Sequence, residues 1–128
     1  MTWQRSPVAA ALVDILTTAT AGGVYVHDKP PTVINPPAII VARPTTVNYA
    51  TAAFAVDEAT LPIVVAGAMD GDDLVDTLRD AVRRAVDADP TLGGAVKSAT
   101  ATAERNWRNL TVAGVELLVA EIILTVLM

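Results

Sequence analysis

Asp70, Asp72 and Asp73 fall within four consecutive residues. Carboxylates at that density suit hard cations such as Mg²⁺ or Ca²⁺, which take oxygen ligands. A Ca²⁺ loop also needs further ligands at fixed spacing and a distal glutamate, and this stretch has neither. The same acids open a stretch of helical periodicity, where they oppose the macrodipole and one of them supplies an N-cap. They are therefore assigned to helix capping, and no metal is expected. His27-Asp28 is half of a base–orienter pair, with no nucleophile elbow and no third member. His27 is read as structural or solvated. Gly22-Gly23 and Gly93-Gly94 match neither Walker nor dinucleotide spacing and are read as turns. Arg105 and Arg108 flank Trp107, and read either as a small anion or partner patch or as one arginine stacked on the indole. Asn109-Leu110-Thr111 has the form of a glycosylation sequon, without consequence where no secretory signal precedes it. With one histidine and no cysteine, disulfides, thiolate sites and multi-histidine sites are excluded. No catalytic residue, cofactor-binding residue or metal ligand is assigned. Elimination favours a structural or interaction role over an enzyme.

The elements that hold these residues are partly legible. Leu74, Val75, Leu78, Ala81, Val82, Ala85 and Val86 recur at helical spacing, with acids, arginines and Thr77 between them. That predicts a one-sided helix from the Asp70–Asp73 turn to Asp89-Pro90, where the residue before proline avoids helical dihedrals. Arg83 and Arg84 fall in its last turns, where cations are favoured. The strand Leu61–Ala66 feeds it. Ser6-Pro7 opens an earlier helix with serine as N-cap, striped by Val8, Ala11, Leu12, Ile15, Leu16 and Ala19 and ended by Gly22-Gly23. The segment 1–5 is a short arm whose Trp3 either docks on a neighbour or folds back on its own core.

Val24–His27 reads as a short strand. Pro30-Pro31 and Pro36-Pro37 bracket a stretch that cannot be central sheet. Ala38–Ala42 reads as a strand buried on both faces. Residues 45–60 have no clean period and read as an irregular hairpin or mobile loop. Val96–Arg105 alternates, with Ala99, Ala101 and Ala103 on one face, and is followed by a polar junction, Asn106–Asn109. Val115–Val126 suits helix or strand by pattern. Its Val, Ile and Thr content and lack of caps favour strand, which makes residues 95–126 a hairpin. The whole is one α+β domain spanning 1–128: a mixed, largely antiparallel sheet with an N-terminal helix and a central helix packed on it.

At 128 residues the chain has one core's worth of material. It is 52% hydrophobic but only 4% aromatic, an excess of small apolar side chains that suggests apolar surface buried against a partner. The net charge of −5 is concentrated. Between Asp70 and Asp89 seven acids face three arginines, and the rest of the chain is nearly neutral. No basic stripe offers to neutralise phosphates, so specific nucleic-acid binding is not expected. No signal peptide is recognised, and the apolar tail is too short, and carries Glu116 and Glu121, to span a membrane as a helix.

The order of elements resembles tail terminator proteins of long-tailed bacteriophages, small α+β proteins that cap the tail tube. The resembling features are the helix Pro7–Ala19, the buried strand after Pro36-Pro37, the strand and acidic helix ending in Asp89-Pro90-Thr91-Leu92-Gly93-Gly94, and the long apolar strand after Gly114. The resemblance covers most of the chain. It implies a homo-hexameric ring at the tail–neck junction of the virion, made in the host cytoplasm. Such a ring ends tube polymerisation and joins the tail tube protein to the head–tail connector or stopper, with no catalytic residues and no cofactor. Genomic DNA would pass through it, and an acidic chain repels phosphate there. The alternatives are another neck or tail component, such as a stopper, an adaptor or a tube protein, and, more remotely, a small metal-dependent enzyme or ligand-binding domain using Asp70, Asp72 and Asp73.

Overall fold

The computed structural model describes residues 4–20, 22–49 and 56–128, with Asn106 by its backbone alone. Among these residues two helices, α1 (Arg5–Ala19) and α2 (Asp72–Ala88), lie on one face of a six-stranded sheet. The strands are β1 (Tyr25–His27), β2 (Ala38–Val41), β3 (Thr46–Asn48), β4 (Glu58–Ala68), β5 (Ser98–Val112) and β6 (Val115–Leu127). Their spatial order is β1-β2-β4-β6-β5, with β3 also paired to β4. Among the described residues only the β1–β2 pairing is parallel. This is the expected α+β class, with a mixed, mostly antiparallel sheet, an N-terminal helix and a central helix.

The main core lies between the helices and the sheet. Leu12 and Leu16 of α1 and Val75, Leu78, Val82 and Val86 of α2 meet Ile39, Ile63, Val65, Ile122 and Leu124. A smaller cluster on the other face joins Ala38, Ile40, Ala66, Leu117 and Val119 to Ile34. Ile34 comes from the proline-bracketed loop, which stays out of the sheet as prolines require. β2 is buried at every position, as its unbroken apolar run predicts.

Several local expectations are corrected. The α1 N-cap is Gln4, not Ser6. Pro7 is instead the third helical residue, where its missing N–H would have had no intrahelical partner. β4 begins at Glu58 and runs to Ala68, longer than Leu61–Ala66 at both ends. Its Pro62 is tolerated because β2 ends and β3 begins beside it. The Pro62 carbonyl accepts from Ala42 N–H at 3.1 Å, and the absent Pro62 N–H would point the same way, into that gap. Residues 46–48 form β3, so the stretch 45–60 is a hairpin at its two ends. Its middle, with Ala53 and Phe54, lies outside the described residues, as does Trp3 of the arm.

β5 is one strand through Val112, not a strand followed by a junction. Its register slips between Ala101 and Ala103 and again between Arg105 and Arg108. Ala101 therefore pairs Leu124 on the helix side, while Ala103 pairs Ile123 on the other. The expected one-faced alanine row is broken by a bulge. β6 is a strand, as favoured. Ala113 (φ 51°) and Gly114 (φ 79°) link it to β5 in a tight turn with both residues left-handed.

Candidate interaction surface

The turn from β4 into α2 carries the three acids. Gly71 N–H donates to the Ala68 carbonyl and Val75 N–H to the Gly71 carbonyl, both at 2.9 Å. Gly71 is the N-cap, and no side chain caps this end. The assignment of Asp70, Asp72 and Asp73 to capping is thus corrected. Asp72 and Asp73 occupy the first turn, where they favour the helix through its dipole alone, and Asp70 precedes the cap. All three are exposed. Among the described residues, no group of three or more His, Asp or Glu side chains is placed to hold a metal ion.

The remaining acids of α2 are paired along the helix. Asp80 meets Arg84 at 2.8 Å, Asp87 meets Arg83 at 3.9 Å and Asp76 meets Arg79 at 2.7 Å. Arg83 and Arg84 lie a turn before the helix end, and the last turn holds no base, which corrects their placement at the C-terminal dipole. Arg79 also reaches Glu104 of β5 and so ties helix to sheet. The hydrogen bond to Asp76 raises its pKa most; burial opposes this, and the hydrogen bond to Glu104 adds to the rise. Leu74, expected in the buried stripe, is 42% exposed beside Asp72 and Asp73.

The face of the sheet turned away from the helices carries a second set of charges. Ile40, Val64, Glu121 and Arg105 stand in one row across β2, β4, β6 and β5. Tyr25, Ala38, Ala66, Val119 and Arg108 make the next row. Arg105 and Arg108 are three residues apart, a spacing that would place them on opposite faces of a regular strand. The second slip in β5 puts both on one face. Each turns to Glu121: Arg108 Nη1 donates to Oε2 at 3.1 Å, and Arg105 Nε lies 3.7 Å from Oε1. The Glu121 side chain is 10% exposed, and the arginines are about half exposed. Of the two readings weighed for these arginines, the structure brings them together on a carboxylate.

Sequence reasoning missed Glu121, treating it only as an argument against a membrane span. The available signal was an ionisable residue inside a long apolar strand, which needs a charged partner when buried.

His27, at the β1 end of the Glu121 row, and Asp28 beside it lie at the opposite sheet edge from Arg105 and Arg108. They line a shallow hollow of about 320 Å³ with Asp14, Ala10 and Val13 of α1. Gly22-Gly23 and Gly93-Gly94 follow the helices as turns, and Asn109 is an exposed residue of β5. Among the described residues, no helix is long and apolar enough to cross a membrane. No protein-family model matches the chain, and no curated protein matches it.

Proposed function

We propose that this chain is a structural, non-enzymatic subunit of a phage tail: a tail terminator that forms a ring on the end of the tail tube and meets the neck. The observation that carries the reading is the order of elements. A helix, a short strand, a proline-bracketed loop, a buried strand, a strand leading into an acidic helix, the Pro90–Gly94 turn and a long apolar hairpin follow one another in a single α+β fold, the order on which the resemblance rests.

The surface of α1 supports self-association. Its stretch Pro7–Val13 is apolar at every position; Val8, Ala9 and Leu12 are buried, Ala11 and Val13 are partly covered by the core, and Pro7 and Ala10 are exposed. A helix apolar on every side is normally covered on every side. An exposed apolar groove continues from Ile15 and Ala19 of α1 to Ala85 and Ala88 of α2. The partners of the reading are further copies of the chain, the tail tube protein and a connector or stopper, and DNA would pass through the ring without specific binding.

The test is to mix the purified chain with assembling tail tubes and image the products by negative stain. A terminator gives rings at one end of the tubes and halts their growth. Tubes that grow unchanged and carry no added density overturn the reading. Binding to the connector but not to the tube would favour a neck ring instead.

A further inference from the structure

We propose that Arg105 and Arg108 receive Asp72 and Asp73 of a second copy of this chain, as the repeating contact of an oligomer. The proposal deepens the ring reading and rests on it for the closure of the oligomer.

Two guanidinium groups share one carboxylate, which leaves a local surplus of positive charge on an otherwise acidic chain. Arg108 donates to Glu121 through Nη1, and Arg105 Nε stands at ion-pair distance from the same carboxylate. Both side chains are about half exposed, and a guanidinium presents its N–H donors in a planar arrangement that suits carboxylates.

The complementary group lies on the same molecule. Asp76, Asp80 and Asp87 of α2 each have an arginine, whereas among the described residues Asp72 and Asp73 have none. Exposed apolar side chains accompany both charge sets. Leu74 stands beside the acids, and Trp107, 44% exposed, lies between Arg105 and Arg108 in the chain. Contact between such groups excludes water and strengthens the ion pairs it surrounds.

The two charge sets lie on opposite sides of the sheet, so one copy cannot satisfy itself. A contact between unlike surfaces repeats head to tail, and it makes a ring if the rotation closes. The sheet edges offer a poorer alternative: β5 is interrupted by two bulges and β1 has three residues, features that blunt strand pairing between molecules.

The test is a concentration series by sedimentation velocity on the wild type, Arg108→Gln, Asp72→Asn/Asp73→Asn and all three changes together. Arg108→Gln leaves Arg105 to hold Glu121, and melting curves check that each variant folds. Each set alone should weaken self-association by about tenfold or more. The combination should add less than about threefold to the larger effect, because both sets remove one contact. Unchanged association, strictly additive effects, or a wild type that stays monomeric at every concentration overturns the contact. The ring reading fails separately. Variants that form rings as well as the wild type, or a monomer that still caps tubes, remove the contact alone. A chain that neither associates nor binds tubes removes both.

Discussion

Replacing Gly67 with alanine should lower stability by roughly 1–3 kcal/mol, although the residue lies inside a strand and its φ is not left-handed. A Cβ at this position would sit 2.6 Å from Val75 Cγ2, about 1 Å inside the ~3.5–4.0 Å separation that carbon contacts prefer. Val75 cannot swing aside. It is fully buried, and a valine in a helix has essentially one χ1 rotamer. The first turn of α2 must then lift from β4. The gain from a less flexible unfolded chain, about 0.4–1 kcal/mol, offsets only part of this. Val75→Ala alone should cost roughly 1–3 kcal/mol, from lost burial and the cavity left behind. In the double variant the new methyl group occupies space that Val75 vacated, so the combined cost should fall short of the sum by about 1 kcal/mol or more. Urea unfolding followed by far-UV circular dichroism measures all three, with the slope against denaturant checked for constancy. A Gly67→Ala protein as stable as the wild type, or an additive cycle, would refute the close approach of β4 to α2. It would also remove the basis for placing Asp72 and Asp73 where they are.

Leu78→Ala should cost roughly 2–5 kcal/mol because the side chain is 4% exposed. Leu74→Ala should stay within about 0.5 kcal/mol. Equal melting temperatures for the two variants would mean that α2 is rotated from the orientation described. Arg79→Ala should cost about 1 kcal/mol and Arg84→Ala less than about 0.5. Arg79 joins helix to strand at 19% side-chain exposure, whereas Arg84 pairs only within the helix at 81%; a reversed order in chemical denaturation would contradict this. Ala113→Gly should stabilise the chain by about 0.5 kcal/mol, since relief at φ 51° exceeds the entropy cost of glycine. A lower melting temperature would count against the left-handed turn.

The elements read correctly from sequence are those set by neighbours along the chain. The α2 stripe is visible because helical period is a local property, and β2 is visible because a buried strand needs no alternation. Leu74 is the instructive exception. Its spacing places it at the edge of the stripe, and only the position of β4 decides that this edge faces solvent. Gly71 as the cap, in place of an aspartate, follows similarly from the tight β4–α2 turn, where a Cβ at position 71 would lie 3.1 Å from the Ala68 carbonyl oxygen.

The interaction surface was less legible because register is not local. In a strand, a slip of one residue moves every later side chain to the other face. The first slip in β5 separates Ala101 from Ala103, which period two would keep together. The second unites Arg105 with Arg108, which period two would keep apart. Neither can be read from β5 alone, because the pairing with β6 defines both. Glu121 could have supplied the missing constraint. A carboxylate in the apolar run Val115–Leu127 needs a cation across the sheet, and β5, the other arm of the hairpin, holds two. Requiring both arginines to reach Glu121 would have forced a bulge between them and placed the charged patch on the face away from the helices.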